Sequence, residues 1–332
     1  MPLTKEQQII ADFYETAGAA IKGHLIDIID GPLVHNFILQ PTPGAKAITI
    51  IKAVYENNYI YSYGNQQIIV QIPKETRQTI FLENLLKSKE FKNTDATLAI
   101  ILGTDTFGNI TIKDLREIPH VLVAGRTGSG KSVFLNCVLK SLKTAMPASE
   151  CKFIIIDPKG VDYDIWESDK HLMCPIVKLD AKLAVQKLRE VSELIKERHQ
   201  KLQDRKVKNI EEYKKKTKNS DMPYVVVIID EFADLMTVAR KEVEGLVQYI
   251  AQTSRAVGVH LIIGTQHYDG KTLPGIIKAI LPTRIAFYAR TSAESKQILG
   301  ERGAENLLPC ADVLFSDAGR APVRIHTAYT EC

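Results

Sequence analysis

Residues 120–132, HVLVAGRTGSGKS, narrow the possible folds of this chain more than any other stretch. An apolar run leads into Gly125-x-x-x-x-Gly130-Lys131-Ser132, and a helix-forming run follows. Such a loop needs a buried strand that hands over directly to a helix. Gly128 and Gly130 let the backbone turn its N–H groups inward, and the positive end of the following helix completes a cradle for an anion. The expected ligand is a nucleotide phosphate, held by Gly125, Arg126, Thr127, Gly128, Ser129, Gly130, Lys131, Ser132 and Val133. Lys131 is placed to reach the β- and γ-phosphates, and Ser132 to give an oxygen to Mg²⁺, so the cofactors expected are ATP and Mg²⁺.

The surrounding pattern agrees with that demand. Apolar runs at 120–124, 153–157, 225–230, 259–264, 284–288 and 312–315 alternate with helical stretches at 132–142, 183–202 and 245–254. Alternation of this kind predicts a parallel-core sheet flanked by helices. Leu188, Val191, Leu194 and Ile195 give the longest helix its buried stripe, and Lys215, Lys216, Lys218 and Asn219 read as a solvated loop. The preceding stretch differs. Residues 1–22 place Ile9, Ile10, Phe13 and Ala17 at helical spacing, and two strand-like runs flank Asp30-Gly31-Pro32. A helix over 45–57 and a strand over 67–71, stopped by Pro73, complete a small α+β domain. With a hairpin of 97–103 and 109–112, the expected division is 1–103 for this domain and 104–332 for the ATPase domain; 332 residues accommodate both.

The other half of a nucleotide site is an acid at the end of a neighbouring buried strand, and YVVVIID, residues 224–230, ends on Asp230 with Glu231 next. Asp230 is expected in the Mg²⁺ shell and Glu231 beside the attacking water, which favours hydrolysis over transfer to a small acceptor. Thr265 and Gln266 close a third strand, where they fit two roles: sensing the γ-phosphate or capping the strand end. Arg255 likewise fits either a surface ion pair or a finger supplied across a subunit boundary.

Composition excludes several classes. No apolar run approaches the length of a membrane span, the longest being strand-sized at 98–102 and 225–229, and the N-terminus lacks the order of a signal peptide. Five widely spaced cysteines without a CxxC pair argue against a disulfide framework or a zinc site and read as structural thiols in a reduced, cytoplasmic compartment. The net charge of +4 is mild, but residues 186–218 hold 12 basic and 6 acidic side chains, a pattern that fits a solvated helix or a footprint for a polyanion.

PHVLVAGRTGSGKSVFLN, IIIDPKG, VVVIIDEFADLM, QTSRAVGVHLIIGTQ, LPTRIAFYARTSAES and GAENLLPCADVLF together resemble the FtsK/SpoIIIE DNA translocase motor, as do NIEEY and DGPLVHNFILQPTPGAK. The resemblance covers roughly residues 20–330. It implies a RecA-like domain, a hexameric ring and ATP hydrolysis that pumps double-stranded DNA through a central channel. By the same resemblance Thr265 and Gln266 are the sensor and Arg255 the trans-acting arginine. The chain departs from the family where arginine usually follows the Thr-Gln pair: His267-Tyr268-Asp269-Gly270-Lys271 stands there, with Lys271 as the replacement cation. Ser292 stands where a lysine is frequent, with Arg290 near it, and Lys296 keeps a basic residue on the second DNA-facing loop. His267, Lys271 and Lys296 are therefore the expected DNA contacts, and repetition around a ring would make a mildly basic protomer present a positive pore. Neither the family's membrane anchor nor its winged-helix domain is expected in this chain. Two other readings remain: a related secretion ATPase acting on protein, and a nucleotide-gated binding module.

Overall fold

The computed structural model describes residues 24–40, 61–64, 67–217 and 221–331. The helices expected over 1–22 and 45–57, and Lys218, Asn219 and Cys332, lie outside the described residues.

By contact density the chain divides into a smaller unit, residues 1–79 with 105–109, and a larger one, 80–104 with 110–332. Position 103 falls within a strand of the larger unit. The smaller unit carries a four-stranded antiparallel sheet in the order β1 (His24–Asp30), β2 (Val34–Gln40), β4 (Gln67–Pro73), β3 (Tyr61–Gly64). The Asp30-Gly31-Pro32 turn joins β1 to β2, and Pro73, expected just beyond the strand, is its last residue. Asn36 and Gln71 are cross-strand partners in this sheet, the Gln71 amide donating to Asn36 Oδ1 at 3.1 Å, and their amides reach the carbonyl and hydroxyl of Thr106 at 2.7 and 2.8 Å.

The larger unit is built on a ten-stranded sheet. Its elements are α1 (Leu82–Leu86), α2 (Lys89–Lys92), β5 (Ala99–Asp105), β6 (Ile110–Asp114), β7 (His120–Ala124), α3 (Lys131–Ala145), β8 (Cys151–Asp157), β9 (Val177–Lys178), α4 (Ala181–Asp204), α5 (Ile210–Thr217), β10 (Tyr224–Ile229), α6 (Phe232–Thr253), β11 (Val259–Thr265), α7 (Gly275–Ile280), β12 (Thr283–Phe287), α8 (Ser292–Leu299), β13 (Asp312–Ser316) and β14 (Val323–His326). Spatial order is β6-β5-β14-β13-β12-β7-β11-β10-β8-β9. The stretch from β12 to β9 is parallel, as the alternating pattern predicts, and β13, β14 and the β5–β6 hairpin extend it with antiparallel strands. β7, β10 and β11 are buried along their whole length, which is why they read as continuous apolar runs.

Three local expectations are corrected. The helix placed over 245–254 begins at Phe232, directly after Glu231, and is kinked at Ala239, whose φ of −146° leaves the helical region. Lys215 and Lys216 belong to the last turn of α5 and not to a loop. Leu194 is only half-buried; Leu188, Val191 and Ile195 form the buried stripe of α4 with Arg198, whose guanidinium donates to Val257 O at 2.8 Å. Among the described residues no helix is long and apolar enough to cross a membrane; Cys151, Cys174 and Cys310 are free thiols, and the buried Cys137 donates to Ala328 O at 3.3 Å. Cys310 is exposed, unlike the structural thiols expected, and its Sγ lies 3.5 Å from Gly128 O.

Candidate nucleotide site at the ends of three parallel strands

The phosphate-loop glycines behave as their positions require. Gly128 and Gly130 have φ of +77° and +101°, a region that a side chain disfavours, and Gly130 caps the N-terminus of α3. Ser129 is buried within the loop, and its hydroxyl has no hydrogen-bond partner. Arg126 and Thr127 are exposed at the rim, and the Thr127 hydroxyl donates to Gln266 Oε1 at 2.6 Å. Val133 packs against the cluster formed by Leu82, Phe91, Ala99 and Ile101, leaving only its backbone for a ligand.

β7, which delivers the loop, and β10, which delivers Asp230, are not neighbours; β11 runs between them. Lys131 must therefore reach across β11. It does so with its ammonium 2.6 Å from Asp230 Oδ1 and 2.5 Å from Asp230 O, and both residues are almost wholly buried, at 3% and 0% exposure. Gly264 makes the crossing possible: a Cβ there would stand 2.5 Å from Asp230 O and 3.0 Å from the Lys131 ammonium. The sequence reading missed this role of Gly264, although a glycine interrupting the apolar run LIIGTQ marks a close approach.

Asp230 Oδ1 also accepts from Tyr163 Oη at 3.1 Å, while Oδ2 is buried and unpartnered. Next to it, Glu231 caps α6 by accepting from Ala233 N. Its carboxylate also takes the Gln266 N–H at 3.1 Å and faces the Thr265 hydroxyl at 2.8 Å. Lys159 Nζ lies 3.6 Å from its other oxygen. One helical turn on, burial and the charge of Glu231 raise the pKa of Asp234. Thr265 thus lies against Glu231 and Gln266 against the phosphate loop, so the pair sits within the site and not at an isolated strand end.

Residues 157–166 carry part of the family resemblance, yet their sequence alone assigns them no role. The structure brings Asp162, Tyr163 and Lys159 onto Ser132, Asp230 and Glu231 respectively. An acid ending an apolar run, FIIID, followed five residues later by a second acid, was the available signal. Among the described residues no cluster of three or more His, Cys, Asp or Glu could hold a metal alone. A cation here would draw on Ser132, Asp230 and the ligand itself. The positive-φ loop, the inward lysine and the two orphaned oxygens at Ser129 and Asp230 fit a phosphate and its divalent ion.

Arg255 is elsewhere. It lies exposed in a short turn just before β11, whereas Thr265 ends that strand, so about 20 Å of extended chain separates it from the site. It borders a cleft of about 840 Å³ with Arg116, Lys208 and His199. His267 and Lys271 are exposed on the loop after β11, and Lys296 is exposed on α8. Glu294 links these segments, accepting from Tyr268 Oη at 3.1 Å and from Arg290 N at 2.7 Å.

The comparisons agree with this geometry. The profile of the FtsK/SpoIIIE family matches residues 81–269, more than half of the chain. The DNA translocase FtsK of Agrobacterium fabrum is 36% identical over 92% of this chain and 39% of its own length. That of Haemophilus influenzae is 37% identical over 93% of this chain and 65% of its own. The chain thus spans well under half of the first of these relatives. Among solved structures, the pCW3 conjugation coupling protein TcpA in a monomer form with ATPγS is 23% identical, with a TM-score of 0.68 over 98% of this chain and 94% of its own. The type VII secretion ATPase EccC of Thermomonospora curvata is 25% identical, with a TM-score of 0.67 over 76% of this chain and 32% of its own. Phosphate loop, strand-end acids and profile match converge on one assignment: the chain carries a P-loop ATPase domain and belongs to the FtsK/SpoIIIE family.

Proposed function

We propose that this chain is the ATP-hydrolysing motor of a double-stranded DNA translocase, working as a ring of copies with the duplex in its channel. The observation that carries the reading is the convergence of Lys131, Ser132, Asp230, Glu231, Thr265 and Gln266 at the ends of β7, β10 and β11, with Arg255 at the opposite end of β11.

Lys131 exchanges its bond to Asp230 for the β- and γ-phosphates. Ser132 and Asp230 Oδ2 would hold Mg²⁺, which would supply charge neutralisation at the phosphates. Glu231, fixed by its own helix and by the Gln266 N–H, accepts the proton of the attacking water. Gln266 bridges the phosphate loop through Thr127 and the loop carrying His267 and Lys271, so that loss of the γ-phosphate is felt on that loop. Arg255 cannot serve its own site from the far end of β11; in a ring it serves the neighbour's, and the charge it brings stabilises the transferring phosphoryl group. His267, Lys271 and Lys296 face the DNA backbone, which gives affinity without sequence preference.

The test is ATPase activity with and without duplex DNA at two salt concentrations. Several-fold stimulation that falls steeply with salt is expected for a motor that tracks phosphates. Absence of stimulation at either salt refutes the DNA reading and turns attention to a protein-moving motor, in line with the likeness to the secretion ATPase EccC.

A further inference from the structure

The segment that follows β8 reaches three of the groups on which the proposed chemistry depends. Lys159 faces Glu231, Tyr163 donates to Asp230, and the Ser132 hydroxyl donates to Asp162 Oδ2 at 2.9 Å. The segment is held firmly. The Asp157 carboxylate accepts the N–H groups of Lys159, Val161 and Asp162. Asn136, fully buried on α3, donates to both Ser132 O and Asp162 O at 3.1 Å and accepts the Trp166 indole N–H at 2.6 Å. Asp162 is thus fixed relative to the first turn of α3.

A serine hydroxyl has one proton and two lone pairs. If the proton is taken by a fixed carboxylate, both lone pairs stay free to accept, and a hard cation needs oxygen ligands of that kind. Asp230 makes no bond to the Ser132 hydroxyl: its Oδ1 is shared by Lys131 and Tyr163, and its Oδ2 has no partner and is left for the ion. We propose that Asp162 is a positioning residue for the metal–nucleotide complex, holding the Ser132 proton so that the hydroxyl presents its lone pairs to the divalent ion. This rests on the reading of Lys131 and Ser132 as the nucleotide site. Asp162 touches neither the nucleotide nor the reacting atoms; it acts through Ser132.

The experiment measures Mn²⁺ binding by the decline of the free-ion EPR signal in the presence of a non-hydrolysable ATP analogue, and binding of the same analogue in EDTA. In the full chain, Asp162→Ala should weaken Mn²⁺ binding about tenfold or more, the usual effect of removing a residue that orients a metal ligand. Its affinity for the analogue without metal should stay within twofold. Asp162→Asn keeps an oxygen acceptor and should weaken Mn²⁺ binding less than alanine does; it also serves if the alanine variant fails to fold. On a Ser132→Ala background, Asp162→Ala should have no further effect. Unchanged Mn²⁺ affinity in Asp162→Ala, an equal loss of metal-free binding, or a full tenfold loss on the Ser132→Ala background would each overturn the proposal. A wild-type chain that binds the analogue neither with metal nor without overturns the nucleotide reading as well, which separates the two failures.

Discussion

Replacing Lys131 by methionine tests the nucleotide-free geometry directly. The ammonium and the Asp230 carboxylate are 2.6 Å apart, with side chains 2% and 0% exposed, so neither has water to fall back on. Methionine keeps the apolar stem and removes the charge. Asp230 then retains one hydrogen bond, from Tyr163 at 3.1 Å, against a full negative charge in the sheet core. Breaking one side of a buried pair costs about 3–5 kcal/mol. At about 2–4 °C per kcal/mol for a domain of this size, Tm should fall by roughly 6–20 °C. Trp166, the chain's sole tryptophan, is buried against Phe153 in the same unit, so its fluorescence follows the relevant unfolding. Asp230→Asn alone should also destabilise, since it strands the ammonium. The double variant Lys131→Met with Asp230→Asn should recover to within about 1 kcal/mol of wild type, because a neutral pair leaves no buried charge and Asn still accepts from Tyr163. If Lys131→Met unfolds within about 1 kcal/mol of wild type, or if the two single effects simply add in the double variant, the ion pair is not what holds these strand ends together.

Gly264→Ala should lower nucleotide affinity without replacing any phosphate ligand, because the new methyl crowds the Lys131 ammonium. Its Cβ would lie 2.5 Å from a backbone carbonyl, so β10 and β11 must separate by nearly 1 Å, a misplacement that can slow hydrolysis on the order of 100-fold, with about 1–3 kcal/mol lost in stability; affinity within twofold of wild type, measured with a fluorescent ATP analogue, would refute the crossing argument. Arg255→Ala should bind ATP normally yet hydrolyse it on the order of 1,000-fold more slowly, and full turnover in that variant would remove the shared site. Burial lowers the pKa of His120 to about 4 and of His260 to about 3, so both are neutral in the fold and charge in the unfolded chain below about 6.5. Their contribution is fully present above that pH and is lost as pH falls toward 4 and 3, at about 1.4 kcal/mol per unit for each. Denaturant midpoints at pH 7 and pH 5 should differ accordingly, and His260→Leu should remove about half of the difference; an unchanged slope would show that these rings are not the cause.

What the sequence made legible follows from how local each constraint is. The phosphate loop was readable because turn, anion cradle and helix start are all set by neighbours in the chain, and β7 and Gly130 stand where the motif placed them. Asp230 and Glu231 were readable because a strand buried on both faces must end where polarity returns, and the helix starting at Phe232 is capped by that same Glu231. The start of α6 was missed although Phe232, Leu235 and Met236 have helical spacing, because they follow the apolar run of β10 with no loop between; the kink at Ala239 has no signal in the sequence. β14 was lost because Val323–His326 is short and alternates charge with apolar residues, which alone predicts little.

Gly264 and Asp162 were hidden for a different reason. Each matters only because of strand order: β11 lies between the strand of the lysine and the strand of the acid, and β8 ends beside the first turn of α3. Spacing along a chain cannot reveal which strand lies between two others. Once the order is known, the requirement is physical: a lysine crossing a strand needs a position without a side chain, and a serine whose proton is already held can offer its lone pairs. The site is therefore assembled by two kinds of constraint. Sequence-local ones create the anion cradle and the strand-end acids, and topological ones decide which of the remaining polar groups can reach them.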